Sequence, residues 1–138
     1  MMLELLLYLM YRMAKNKVLI VGMNPSNTLE KVKVRKNSTF DRLNKWMDKL
    51  GVCHYSFINV INDRNIKLNH KNVDDKFLLS ATKDYNHIIA LGGFASDSLV
   101  RAKINHFRLP HPSPLNRLLN DKHFEKAILN QCSKYLKG

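Results

Sequence analysis

A three-layer α/β/α sandwich around a mainly parallel four-stranded sheet is what this sequence predicts. Val18-Leu19-Ile20-Val21 and His87-Ile88-Ile89-Ala90-Leu91 are short, nearly uninterrupted apolar runs. Strands covered on both faces of a parallel sheet need such runs. Segments of helical periodicity separate the strand candidates, so the crossovers carry helices on both faces. The 138 residues suit a single domain, 1–138, and an apolar fraction of 45% is enough to build its core.

Residues 1–13 are apolar apart from Glu4 and Arg12. The run is too short to span a bilayer and lacks the basic start and cleavage site of a signal peptide. A short docked helix is expected there, or a dispensable extension ahead of a translation start at Met13. The first strand then runs to Gly22, where the backbone can turn sharply, and Pro25 stops it. Asn24 is thereby presented at the carboxyl end of a central strand, where open α/β sheets place their ligands. Residues 27–37 are polar and basic; Lys31, Lys33, Arg35 and Lys36 suit either a phosphate-contacting loop or a solvated one.

Ser38 with Asp41 three residues on resembles a capping box. Phe40, Leu43, Trp46, Met47 and Leu50 follow at helical spacing, and Gly51 stops the helix. Such a stripe packs a core, although Phe40, at the mouth of the helix, is also placed to stack on a base. The second strand is expected over 55–60, with Asn59 near its carboxyl end. Asp74 begins a helix over 74–83 packed through Phe77, Leu78 and Ala81. Gly92-Gly93 turn the third strand into a helix over 94–102. Residues 104–108 alternate polar and apolar, as an edge strand does. A loop rich in proline follows, Leu109-Pro110-His111-Pro112-Ser113-Pro114-Leu115-Asn116. Asn120 or Asp121 caps a last helix packed through Phe124, Ala127, Ile128, Cys132 and Tyr135.

The 23 Lys and Arg against 11 Asp and Glu leave a net charge of +12. That excess predicts a polyanionic partner, nucleic acid before a membrane surface. Cys53 and Cys132 form no CxxC or Cys/His cluster, which argues against a zinc or iron–sulfur site and for a reducing, cytoplasmic compartment in a prokaryotic or virus-infected cell rather than secretion.

Two loops carry a resemblance. Gly22-Met23-Asn24-Pro25 and His111-Pro112-Ser113-Pro114-Leu115-Asn116, with this order of elements between them, resemble the uracil-DNA glycosylase superfamily. The Asn24 loop is similar to that of the single-strand-selective and mismatch-specific branches. The His111 loop is similar to that of the classical and single-strand-selective branches. The likeness in element order covers about residues 17–136, and the motifs themselves about ten residues.

The resemblance implies an enzyme that flips a nucleotide out of DNA and hydrolyses its N-glycosidic bond, without metal or organic cofactor. It assigns Asn24 to the attacking water and His111 to the departing base. Asn59 would read the Watson–Crick edge of a uracil or modified pyrimidine, with Asn62 a rival for that role, and Gly22, Met23 and Phe40 would complete the base pocket. Pro25, Ser26, Ser113, Pro114, Leu115, Asn116 and Arg117 would contact DNA, single- or double-stranded. Ser113 would grip a phosphate and Leu115 would wedge the gap. The protein would act as a monomer with no membrane partner. Ser26 stands where related branches usually have glycine. The Gln-Asp-Pro-Tyr loop is absent, so rejection of thymine does not carry over. The same residues also fit a DNA-binding module with reduced catalysis, or an enzyme acting on a modified base or nucleotide in DNA modification.

Overall fold

The computed structural model describes residues 2–15, 17–24, 38–63 and 65–138. At its centre lie β1 (Val18–Gly22) and β3 (His87–Leu91), buried at every position. Their continuous apolar sequence is what a strand covered on both faces requires. β2 (Ser56–Asn59) flanks β1 and β4 (Phe107–Leu109) flanks β3. All pairings are parallel, in the order β2–β1–β3–β4. The chain reverses its direction across the sheet between β1 and β3, so their carboxyl ends form the switch point of the fold.

Alternation along β1 sorts the core into two layers. Val18 and Ile20 face α2 (Ser38–Leu50) and α5 (Lys122–Lys137), packing with Leu43, Trp46, Met47, Leu129 and Cys132. Leu19 and Val21 face α3 (Asp75–Thr82) and α4 (Gly92–Arg101), packing with Leu78, Ala95 and Leu99. The result is the expected three-layer α/β/α sandwich. Trp46 is the largest side chain fully buried, and its indole N–H donates to Glu125 Oε1 at 3.3 Å, joining α2 to α5. Truncating such a ring to alanine costs about 3–5 kcal/mol.

Caps explain most element boundaries. Asp74 accepts from the N–H groups of Lys76 and Phe77, and Asp121 from those of His123 and Phe124. α2 begins at Ser38. In α5 the buried positions are Leu129 and Cys132; Ala127 is exposed.

The edge strand starts later than its alternation predicts. Lys103 takes φ 61°, Lys103 N–H donates to Val100 O, and Ile104 N–H donates to Leu99 O. This is a Schellman ending of α4, and it draws residues 102–104 away from the sheet. His106 extends the turn: its Nδ1–H donates to Ile104 O, and its Nε2 accepts from Ser96 Oγ.

Because β4 pairs with β3 only from Ile89 onward, Ile88 has no ladder partner on that side. The Tyr135 hydroxyl of α5 takes its place, accepting from Ile88 N–H at 3.0 Å and donating to Ile88 O at 3.3 Å.

α1 (Met2–Lys15) is helical, and its residues 2–8 are all exposed. No helix among the described residues is long and apolar enough to cross a membrane.

Candidate active site

The carboxyl ends of the four strands bring the two loops to one edge of the sheet. On the β1 side, Gly22 stands opposite Asn59 in the ladder. The ladder continues past both strands: Val60 N–H donates to Gly22 O and Ile61 N–H to Met23 O, each at 3.0 Å. Gly22 and Met23 are therefore held by backbone pairing; Met23 and Asn24 are half-buried. A Cβ on Gly22 would stand 2.8 Å from Asn59 Oδ1 and 2.8 Å from Phe57 Cζ. The asparagine amide and the phenyl ring thus close over the bare backbone of Gly22, and any side chain there would displace them. Phe57 in turn packs against Phe40 of α2, ring centroids 5.4 Å apart. Phe40 remains 36% exposed, leaving part of its ring open at the site. No hydrogen bond to a described residue engages the Asn59 amide. Asn62 lies beyond the strand end and is exposed.

On the β4 side, Pro112 is fully buried and anchors the loop. Ser113 N–H donates to His111 Nδ1 at 3.1 Å, and Asn116 Nδ2 donates to His111 O at 3.0 Å. Asn116 Oδ1 also accepts from Leu118 N–H, capping the 3-10 turn over Arg117–Asn120. Ser113 Oγ accepts from Leu115 N–H at 3.2 Å, which leaves its own hydrogen free to donate. Leu115 sits at the tip, 88% exposed, an apolar side chain with nothing around it. Pro114 and Arg117 are exposed on the same stretch, and Arg117 points no described contact into the site.

His111 leans inward over β3. Gly92 has φ +84°, and a Cβ there would lie 3.4 Å from His111 Cβ and 3.7 Å from Cδ2. The His111 side chain therefore packs against the backbone at the end of β3, the strand that pairs with β1; the cavity it lines does not include Asn24, Asn59 or Phe40. Burial pushes the His111 imidazole below its ordinary value. The bond from Ser113 N–H acts in the same sense, because an imidazolium carries a hydrogen on Nδ1 and could not accept it. In the neutral ring the hydrogen therefore sits on Nε2, which is left as a donor.

Three residues with a place here do not stand out by residue type. Gly92, Gly93 and Arg108 line a cavity of about 340 Å³ with Pro110, His111 and Asn116. The Arg108 guanidinium lies against Gly93, 3.1 Å from where a Cβ would stand. The available signal is the Gly-Gly pair directly after a buried strand, mirroring Gly22 after β1. Burial pushes the Cys132 thiol up to about 12, so it stays protonated and packs as core. Pro25, Ser26 and the basic stretch with Lys31, Lys33, Arg35 and Lys36 lie outside the described residues.

The chain matches no protein-family model and no curated protein.

Proposed function

We propose that the chain is a DNA glycosylase that hydrolyses the N-glycosidic bond of uracil or a related pyrimidine in DNA. The observation that carries this reading is the state of His111. Its ring is half-buried and neutral, with Nδ1 occupied by a backbone donor and Nε2–H turned into a donor by default.

The reaction needs such a donor. The bond from the sugar anomeric carbon to the base nitrogen breaks, and its electron pair leaves with the base. Negative charge then collects on the base carbonyl oxygen. A preorganised N–H aimed at developing charge is worth about 10²–10³ in rate. A neutral donor suits the role, since it need not surrender its proton. Asn24 supplies the opposite requirement. The sugar left behind is cation-like, so a water needs orientation more than activation, and an amide can hold one by its oxygen. The water oxygen bonds to the anomeric carbon and sheds a proton to solvent.

Asn59 is suited to selecting the base. Its amide can accept from a ring N–H and donate to a carbonyl, which leaves the amino group of cytosine unpaired. Phe40 and Phe57 offer an apolar wall for the ring, and exposed Leu115 an apolar tip for the gap it leaves.

Base release tests the proposal. Single-stranded and duplex oligonucleotides carrying one uracil are incubated with the protein, and abasic sites are then cleaved with alkali. Cleavage by the parent, strongly reduced in Asn24→Ala and His111→Ala, is the expected result. Tight binding of uracil-containing DNA without release would make the chain a binding module instead.

A further inference from the structure

A groove of about 690 Å³ runs between α2 and α5, on the sheet face turned away from α3 and α4. Its walls are basic on both sides. α2 contributes Arg42 and Lys49, seven residues apart, which is two turns on one face and about 10.5 Å along the axis. α5 contributes Lys122 and Lys126, one turn apart on its facing side. Glu125 is the one carboxylate in the lining, and its Oε1 is taken by the Trp46 indole N–H. Four cations less one carboxylate leave the groove at +3. Among the described residues none of the four cations enters an ion pair.

Like charges on facing helices repel one another, and the Trp46–Glu125 bond with the apolar core below already joins α2 to α5. The cations therefore hold nothing together inside the protein. They suit an anion that lies along the groove. Both walls also begin at the site. Arg42 lies two residues beyond Phe40, and Lys122 follows the 3-10 turn that Asn116 caps.

We propose that this groove is a track for the sugar–phosphate backbone of one nucleic-acid strand flanking the nucleotide held at the carboxyl ends of the sheet. The inference rests on the glycosylase reading for the origin of that strand, and on the groove alone for its charge.

The test is fluorescence anisotropy with two labelled single-stranded DNAs lacking uracil, one of 25 and one of 5 nucleotides. The proteins are the parent, K49E/K126E and K49R/K126R; thermal unfolding confirms that each is folded. Both lysines are exposed and make no hydrogen bond to a described residue, so folding is expected to survive. Loss of two phosphate contacts lowers the salt slope of 25-mer binding by about 1.4 and the affinity near 0.1 M salt by about tenfold or more. The arginine variant should keep parental affinity and slope, and binding of the 5-mer should not change. K126Q, which adds no repulsion, should weaken 25-mer binding by about fivefold. Unchanged 25-mer binding in K49E/K126E overturns the track, as does a parent that binds no 25-mer. Equal affinity for polyglutamate also overturns it and assigns the groove to an acidic polypeptide. Uracil release is scored separately on a 5-mer carrying one uracil. Release there with no groove effect sinks the track alone; a groove effect without release sinks the glycosylase reading alone.

Discussion

The two loops at the carboxyl edge of the sheet are made firm by opposite means. The His111 loop is tied by its own side chains: His111 accepts from Ser113 N–H, Ser113 from Leu115 N–H, and Asn116 reaches both His111 O and Leu118 N–H. The Gly22–Asn24 segment depends on backbone pairing to Val60 and Ile61, and on the missing side chain of Gly22. One loop is built from atoms that are present, the other around an atom that is absent. Removing atoms should therefore damage the first, and adding them should damage the second.

The largest contrast is expected in chemistry. His111→Ala removes the donor to the departing base and should slow single-turnover base release by about 10²–10³-fold. A rate within threefold of the parent would remove His111 from the reaction. Gly22→Ala comes next. Its methyl would collide with Asn59 Oδ1 and Phe57 Cζ, and overpacking of this kind costs about 1–3 kcal/mol, read as a lower urea midpoint. Base release should fall with it, because Asn59 is pushed aside; an unchanged midpoint would mean the pocket yields freely.

Asn116→Ala removes the cap of the 3-10 turn and the bond to His111 O, for about 1 kcal/mol of stability. Its effect on base release should exceed its effect on the urea midpoint, since the released segment is the one that aims His111. The smallest effect concerns pH. The His111 value is lowered in the folded state, so the unfolded chain binds more protons in the window below 6.5. The corresponding stability is fully present above 6.5 and is lost as pH falls toward the folded value. The difference in stability between the parent and His111→Gln should therefore slope only in that window. Base release should stay level from pH 6.5 to 8, whereas an imidazolium donor would give a tenfold fall per pH unit.

The loops differ also in how far the sequence discloses them. β1 and β3 are legible because their apolar runs are unbroken, and His87–Leu91 has the predicted bounds. β4 is legible as an edge strand but not in its start, because alternation over 104–108 carries no trace of Lys103 in the left-handed region, a choice made by how α4 ends. His111 and Asn24 stand out by residue type and by the prolines beside them. The hydrogen on His111 Nε2 does not, since it follows from a backbone N–H two residues away. Arg108 is invisible for a similar reason. Only the register of β3 with β4, Ala90 opposite Arg108, brings its guanidinium to Gly93. Residues 2–8 are exposed, which a helix docked over them would not be; the apolar run by itself does not say which of its two expected states, docked helix or extension, it takes.

The Tyr135 hydroxyl that completes β3 at Ile88 carries a consequence for the order in which the chain matures. A ribosome delivers the sheet strands first, and residue 135 only after every one of them. Until α5 folds back, the lower part of β3 presents an unsatisfied N–H and carbonyl, an invitation to pair with another nascent chain. The last helix thus acts as a closing latch against aggregation. Tyr135→Phe keeps the ring against His87 and Phe107 but leaves the Ile88 groups open. Such a protein should show its defect in the yield of soluble material during synthesis more than in the stability of molecules that have finished folding.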